Sequence, residues 1–325
     1  MEKKNLLQIE GLTTHFFGDG GKRVVKAVEG VSFEINEGDR LALIGESGCG
    51  KSTVALSILQ VLPPAARIVG GNIFFEGEDL LKKSPAEMVG IRGKRIAMIL
   101  QDTMLSLDPV FKVGDQIRET LRAHTSLRGT FLEERIQELL LSVKIPQPAR
   151  RIKQYPHEMS GGMRQRIVGA IALSCGPKLL IADEATTNLD VTIQLQYLDL
   201  LKEIQRQTGM TLLFITHNLG IVAELCDDVI VMYAGKVVER SPVVDLFDRP
   251  AHPYSKALLQ AAFGLHDLGE RTPIRGEPPD LTNLPSGCSF NPRCSFADAI
   301  CSTEEPPELQ LSENHRVKCW HPVKS

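Results

Sequence analysis

The sequence predicts an α/β protein: a parallel β/α core, an antiparallel β subdomain at its start, an inserted helical subdomain, and a small cysteine-containing module at its end. Three observations carry this expectation. A short apolar strand from Arg40 (RLALIG) runs into a glycine-rich loop and then into KSTVALSILQVL, whose apolar residues recur at helical spacing. Two later apolar strands, KLLIADE around Ile181 and TLLFITH around Ile215, flank the amphipathic stretch QLQYLDLLKEIQRQ, which suits a crossover helix between parallel strands. From Arg271 onward Pro, Gly and Cys dominate, which marks a loop-rich module.

The elements follow in chain order. From LLQIEGLTTHFF to VVKAVEGVSFEINEGD, short alternating strands broken by Gly and Asp turns predict an antiparallel sheet. The strand–loop–helix unit comes next. Between Gln101 and Met159 the chain turns helical and charged, as in TFLEERIQELLLSV, so a helical subdomain is expected over about 102–160. VIVMYAGKVVE predicts a hairpin turning at Tyr233-Ala-Gly235, and SPVVDLFDRPAHPYSKALLQAA predicts two short helices joined through prolines. The expected domains are 1–245 and an extension over 246–325.

At 325 residues the chain buries an ample core, and its formal charge of −3 with interspersed signs gives no field that favours nucleic acid. MEKKNLLQIE lacks the apolar stretch of a signal peptide, and no segment approaches about 18 uninterrupted apolar residues. A cytosolic chain is expected, and a transport role then requires separate membrane-spanning partners. Of seven cysteines, Cys49, Cys175 and Cys226 are scattered and read as buried free thiols. Cys288, Cys294, Cys301 and Cys319 crowd the tail, and in a reducing cytosol such a cluster points to metal or iron–sulfur ligation before disulfides.

GESGCGKS, from Gly45 to Ser52, fits the phosphate-loop pattern without a mismatch. Gly45, Gly48 and Gly50 let the backbone curl so that amides converge on phosphate, and the helix after them presents its N-terminus to the same charge. Lys51 is expected at the β and γ phosphates and the Ser52 hydroxyl on Mg²⁺, with Glu46, Ser47, Cys49 and Thr53 lining the same loop. A strand ending in Asp183-Glu184 sets one carboxylate to hold Mg²⁺ through water and the next to orient or deprotonate the attacking water. Together these motifs predict a P-loop nucleotide hydrolase.

YPHEMSGGMRQR places Ser160, Gly161 and Gly162 just before a helix, where bare amides and a hydroxyl suit a phosphate. This stretch resembles the signature of ABC-type ATPases. The resemblance implies a head-to-tail dimer, with each ATP held between one protomer's phosphate loop and its partner's signature. Three more positions match the family's order. Gln101 in MILQD resembles the glutamine that touches Mg²⁺ and the attacking water, Asp190 in TTNLD the loop aspartate that crosses the dimer interface, and His217 in FITHNLG the switch histidine that contacts the γ-phosphate and Glu184. Phe17 is the candidate for adenine stacking, with core packing as its other reading.

QDTMLSLDPVFKVGDQI, SGGMRQR, HPYSKALL and the tail PSGCSFNPRCSFADAIC with HRVKC resemble the ATPases of oligopeptide, dipeptide and nickel importers. In some members the tail cysteines hold a four-iron cluster, so Cys288, Cys294, Cys301 and Cys319 are candidate ligands for [4Fe–4S]; zinc and free thiols are the other readings. His315 and His321, read as surface residues, offer substitute zinc ligands. The chain departs from the family pattern at Ala185, where proline is usual, at Asn188, where a small residue is commoner, and at Met163, where glutamine is usual. Met163 fits one of the two paired ATPase types of peptide importers and implies a paralogous ATPase partner; a homodimer is the alternative. The function implied is ATP hydrolysis driving a di- or oligopeptide importer, beside two permease subunits and an extracytoplasmic binding protein, peripheral on the cytoplasmic membrane face. Nickel or small oligosaccharides are alternative cargo, and a soluble, non-transport ABC ATPase is the alternative class.

Overall fold

The computed structural model describes residues 4–101, 106–187, 189–263 and 273–323; Asn188 and the first residues expected in the helical subdomain lie outside them. Among the described residues the strands, in chain order, are β1 (Asn5–Gly18), β2 (Arg23–Asn36), β3 (Arg40–Ile44), β4 (Ala66–Phe75), β5 (Glu78–Asp79) and β6 (Ile96–Ile99). They continue with β7 (Leu179–Asp183), β8 (Thr211–Ile215), β9 (Asp228–Tyr233), β10 (Lys236–Pro242), β11 (Glu308–Ser312) and β12 (His315–Lys318). The chain divides into two compact units, one of Met1–Lys82 with Ile215–Ser325, the other of Lys83–Phe214.

In the first unit β1 and β2 pair antiparallel as the alternation of their apolar residues predicts, burying Leu7, Ile9, Val31, Phe33 and Ile35. This sheet runs β2-β1-β4-β5. β4 does not announce itself in the sequence, because Gly70-Gly71 interrupts it with a turn signal. The pair instead marks a bulge, since Gly71 has φ +87° and an added Cβ would meet backbone atoms of Glu10 and Gly11 at 2.5 Å. A second run of strands has the order β11-β12-β10-β9-β3, with β3 parallel to β9 and wholly apolar at Leu41–Ile44. β9 and β10 form the expected hairpin, turning through Ala234 (φ +46°) and Gly235 (φ +82°), a left-handed pair that suits the strand twist. The helix after β3 spans Lys51–Leu59, shorter than its pattern, because left-handed Gln60 caps it on the carbonyls of Leu56 and Ser57.

The tail is more regular than its composition implies. Two helices, Val243–Asp248 and Pro253–Phe263, follow β10, and the β11–β12 hairpin adds to the β10 edge through Glu239↔Val317 and Arg240↔Arg316. The expectation that both tail histidines lie at the surface fails for His315. Its side chain is 4 % exposed and shares a 2.8 Å hydrogen bond with the buried Glu239. Glu239 also accepts from the backbone N–H groups of Ala251 (2.8 Å) and His252 (2.7 Å), so the buried carboxylate is fully employed in anchoring the segment that begins the tail.

The second unit holds β6 and β7 in parallel, with β8 next to β7, and the helix Val191–Thr208 crossing over between β7 and β8. β6 is a four-residue run too short to read from periodicity. Helices Val113–His124 and Gly129–Ser142 bury Val113, Ile117 and Leu121, and Leu132, Ile136 and Leu139, the spacing of one helical face. Gly169 makes room for the Tyr197 hydroxyl, 3.1 Å from where a Cβ would sit. No helix among the described residues is long and apolar enough to cross a membrane.

Candidate functional site

In the first unit, the loop from Gly45 to Gly50 joins the end of β3 to the helix Lys51–Leu59. Two of its glycines are sterically obligatory. A Cβ on Gly45 would lie 2.2 Å from the Met232 carbonyl oxygen, and one on Gly50 would lie 2.1 Å from that of Ala27. Gly48, at φ +80°, has open space and is required only for its backbone angle. No side chain caps the helix, which leaves its first amides facing the loop's hollow. Gly50→Ala should therefore abolish nucleotide binding in a filter or calorimetric assay, whereas Gly48→Ala pays only left-handed strain of about 1–2 kcal/mol.

Lys51 is 5 % exposed and folds back over the loop, its Nζ donating to the carbonyls of Gly45 (2.9 Å) and Glu46 (3.0 Å). Ser47, Gly48 and Ser52 are exposed and Thr53 is half-buried at the first helical turn. Cys49 is buried, and burial pushes its thiol up despite Lys51 nearby. Glu46 turns its carboxylate away, into the guanidinium of Arg293. His217 is exposed just after β8, and Thr216 N–H donates to Leu43 O at 3.3 Å, which ties this turn to the strand that launches the loop. Phe17 lies half-buried on β1 with the Arg67 guanidinium carbon 5.8 Å from its ring centroid.

The second unit carries the carboxylates and the signature. Asp183 is buried at the end of β7, and Glu184 follows it with φ +46°, a left-handed conformation costly for a residue with a side chain. That kink turns the Glu184 carboxylate out of the strand. It accepts from Gln101 Nε2 at 2.9 Å and Thr187 Oγ1 at 3.2 Å, so two residues far apart in sequence, Gln101 and Glu184, meet. Ala185 is buried. Ser160 caps the helix Gly161–Leu173, its Oγ accepting from Met163 N at 3.4 Å, and Asp190 caps Val191–Thr208, accepting from Ile193 N at 3.0 Å. Gly162 packs on Ile193, whereas a Cβ on Gly161 would meet nothing.

Cys288, Cys294, Cys301 and Cys319 line one pocket in the first unit, with Phe290 and Trp320. Burial raises all four thiols; for Cys319, burial and then the other three sulfurs push it up to about 12. The Phe296 N–H donates to Cys294 Sγ at 3.4 Å. His252, 1 % exposed, lines the same pocket. Burial lowers its pKa to about 4, and its Nδ1 accepts from Tyr254 N at 3.0 Å, so the proton of the neutral ring sits on Nε2. Among the described residues that Nε2 has no hydrogen-bond partner. Four thiols and an unmatched buried donor fit a polynuclear sulfur cluster. Among the described residues the grouping whose ligand atoms all fall within 4.8 Å of one another is Asp298, Cys301 and His321, not the four sulfurs. A lone tetrahedral zinc would hold sulfurs about 3.8 Å apart. His321 is instead occupied with Asp298 at 2.8 Å.

Arg293, Tyr254 and His252 escape a reading by residue type. The signals available, HPY before a helix and NPR beside a cysteine, carry no chemistry until the fold brings them to the loop and the pocket.

Residues 28–187 match the family model described as ABC transporter, and residues 238–301 match the oligopeptide/dipeptide transporter, C-terminal region. The dipeptide transport ATP-binding protein DppD of Bacillus subtilis strain 168 is 48 % identical over 98 % of this chain and 95 % of its own length. The oligopeptide transport ATP-binding protein OppD of the same organism is 48 % identical over 98 % of this chain and 89 % of its own. Among solved structures, the ATP-binding cassette MJ0796 in its post-hydrolysis dimer with ADP and Pi superposes with a TM-score of 0.65 at 23 % identity, covering 73 % of this chain and 98 % of that one, a likeness of fold. The cassette cbiO1 of Clostridium perfringens gives 0.64 at 26 % identity, over 76 % and 91 %. With its phosphate loop, its Asp-Glu strand end and relatives matched over nearly their whole length, the chain belongs to the ABC transporter family of ATP-hydrolysing subunits and carries the C-terminal region of its oligopeptide/dipeptide members.

Proposed function

We propose that this chain powers the import of di- or oligopeptides, sitting peripherally on the cytoplasmic membrane face against two permease subunits fed by a binding protein. The observation that carries the choice of cargo is the 48 % identity, over nearly full length, to proteins named for dipeptide and oligopeptide transport. Nickel and small oligosaccharides fall second because neither is named among those relatives. Apolar Val110 and Phe111, exposed by 71 % and 55 % and less than a dozen residues beyond Gln101, support a docking role for this segment against the permeases. Deleting the gene should abolish uptake of labelled dipeptides; wild-type uptake in the deletion strain would remove peptides as cargo.

In this reading the loop amides and the helix N-terminus hold the phosphates, and Lys51 exchanges its two carbonyl partners for phosphate oxygens. Ser52 and Gln101, with Asp183 through water, would hold Mg²⁺, which would supply charge neutralisation. Gln101 and Glu184, already hydrogen-bonded, orient and deprotonate the attacking water, and His217 senses the γ-phosphate. A second protomer contributes Ser160, Gly161, Gly162 and Asp190, and Met163 in place of glutamine favours a paralogous chain for it.

The four cysteines, in this reading, would hold [4Fe–4S], which would supply a redox-active or structural cross-link to the tail. The four thiols lining one pocket and the unmatched His252 N–H, a donor suited to sulfur acceptors, support a cluster over zinc. Anaerobic purification should give about four irons per chain with broad visible absorbance. Stoichiometric zinc, or colourless metal-free protein of full stability, would overturn the assignment.

A further inference from the structure

The second residue of the phosphate loop is acidic. A carboxylate there is electrostatically wrong for a site that takes a polyphosphate, since two unit charges a few ångströms apart repel by about 1–4 kcal/mol across the range of dielectric near a protein surface. The fold answers this with a residue more than two hundred positions away. Arg293 Nη1 and Nη2 donate to the two Glu46 carboxylate oxygens at 2.7 and 3.0 Å, a bidentate fork. The Arg293 side chain is 5 % exposed and that of Glu46 is 25 % exposed.

Arg293 has no slack. Its Nε donates to the Arg275 carbonyl at 2.9 Å, Nη1 also reaches the Tyr233 hydroxyl at 3.3 Å, and the guanidinium carbon lies 5.8 Å from the Tyr233 ring centroid. Pairing with Glu46 raises its already high pKa further, so it stays charged. Tyr254 adds a second grip from the tail, its hydroxyl accepting from the Glu46 backbone N–H at 2.8 Å. Both contacts come from the C-terminal extension, and both converge on one loop residue.

We propose that Arg293 is a charge-balancing and positioning residue of the nucleotide site: it neutralises Glu46 and, with Tyr254, holds the phosphate loop in its receptive curl, so that the C-terminal extension completes the ATP site of its own chain. The proposal rests on the reading of this loop as the ATP site. It predicts an asymmetry that a merely structural clamp would not produce. Removing the cation leaves an unpaired carboxylate beside the phosphates; removing both charges leaves a neutral loop still held by Tyr254.

The test is calorimetric titration of MgATP into the full-length chain. Arg293→Met should weaken ATP binding about tenfold, and Glu46→Gln placed in the Arg293→Met background should recover it to within about threefold of the wild type, the coupling expected of a buried charge pair. Adenosine, which lacks phosphates, should bind all forms alike. Wild-type affinity in Arg293→Met, or a double variant as weak as Arg293→Met, overturns the proposal. Should Arg293→Met fail to fold, Arg293→Lys keeps the charge without the fork and should weaken binding by less than threefold; a tenfold loss there overturns charge balance. A wild-type chain that binds no ATP would instead sink the reading of the loop itself.

Discussion

Glu184→Gln should lower steady-state ATP turnover by about 10²–10⁴-fold while leaving ATP bound, the loss expected when a positioned general base is removed. The geometry makes this substitution unusually clean. Glu184 accepts from Gln101 Nε2 and Thr187 Oγ1, and the amide oxygen of a glutamine can accept from both in the same place. The left-handed backbone at φ +46° is set by the strand end and costs the same with either side chain. What disappears is the negative charge and basicity of the carboxylate. With ATP and Mg²⁺ the variant should therefore collect as a stable closed dimer, visible as a doubled mass in gel filtration, alone or with its ATPase partner. Phosphate release within tenfold of the wild type would show that another group deprotonates the water.

Most of the fold's logic is legible in the sequence because it rests on local rules. The phosphate loop needs glycines where the backbone has left-handed angles or approaches β2 and β9, and those glycines stand at fixed spacing. The crossover helix Val191–Thr208 buries one stripe, and its period announces it. What escapes reading depends on distant pairing. β4 is interrupted by Gly70-Gly71, which only the approach of β1 explains, and β6 is four residues whose strand character comes from lying beside β7. The tail reads as loop because its hairpin is satisfied by the β10 edge rather than by its own pattern. The candidate site divides the same way. Motif residues declare themselves by spacing, whereas Arg293 and Tyr254 acquire a role only through tertiary contact with Glu46, and His252 only through the pocket it shares with the four cysteines.

The Ser160-Gly161-Gly162 turn offers a prediction in which neighbouring glycines behave oppositely. Gly162 is explained by its own chain, since a Cβ there would lie 2.6 Å from Ile193 Cγ2. Gly162→Ala should therefore cost about 1–3 kcal/mol of stability through overpacking, read as a lowered melting temperature. Gly161 is explained by nothing among the described residues of its own chain: a Cβ there would meet no heavy atom within 4 Å, and its backbone is not left-handed. A larger residue at 161 should be neutral or stabilising by up to about 1 kcal/mol, because glycine is the poorer helix former. The absence of an internal reason for glycine points outward, to a surface that must approach the bare helix start. If that surface is the partner's nucleotide, Gly161→Leu should melt no lower than the wild type and bind ATP to its own phosphate loop with unchanged affinity. Its turnover should nonetheless fall by about 10²–10³-fold, as when a preorganised donor is withheld from a developing phosphate charge. The sandwich is required for hydrolysis only if stability and turnover separate in this way, and a Gly161→Leu chain that hydrolyses ATP at the wild-type rate would mean that one protomer suffices.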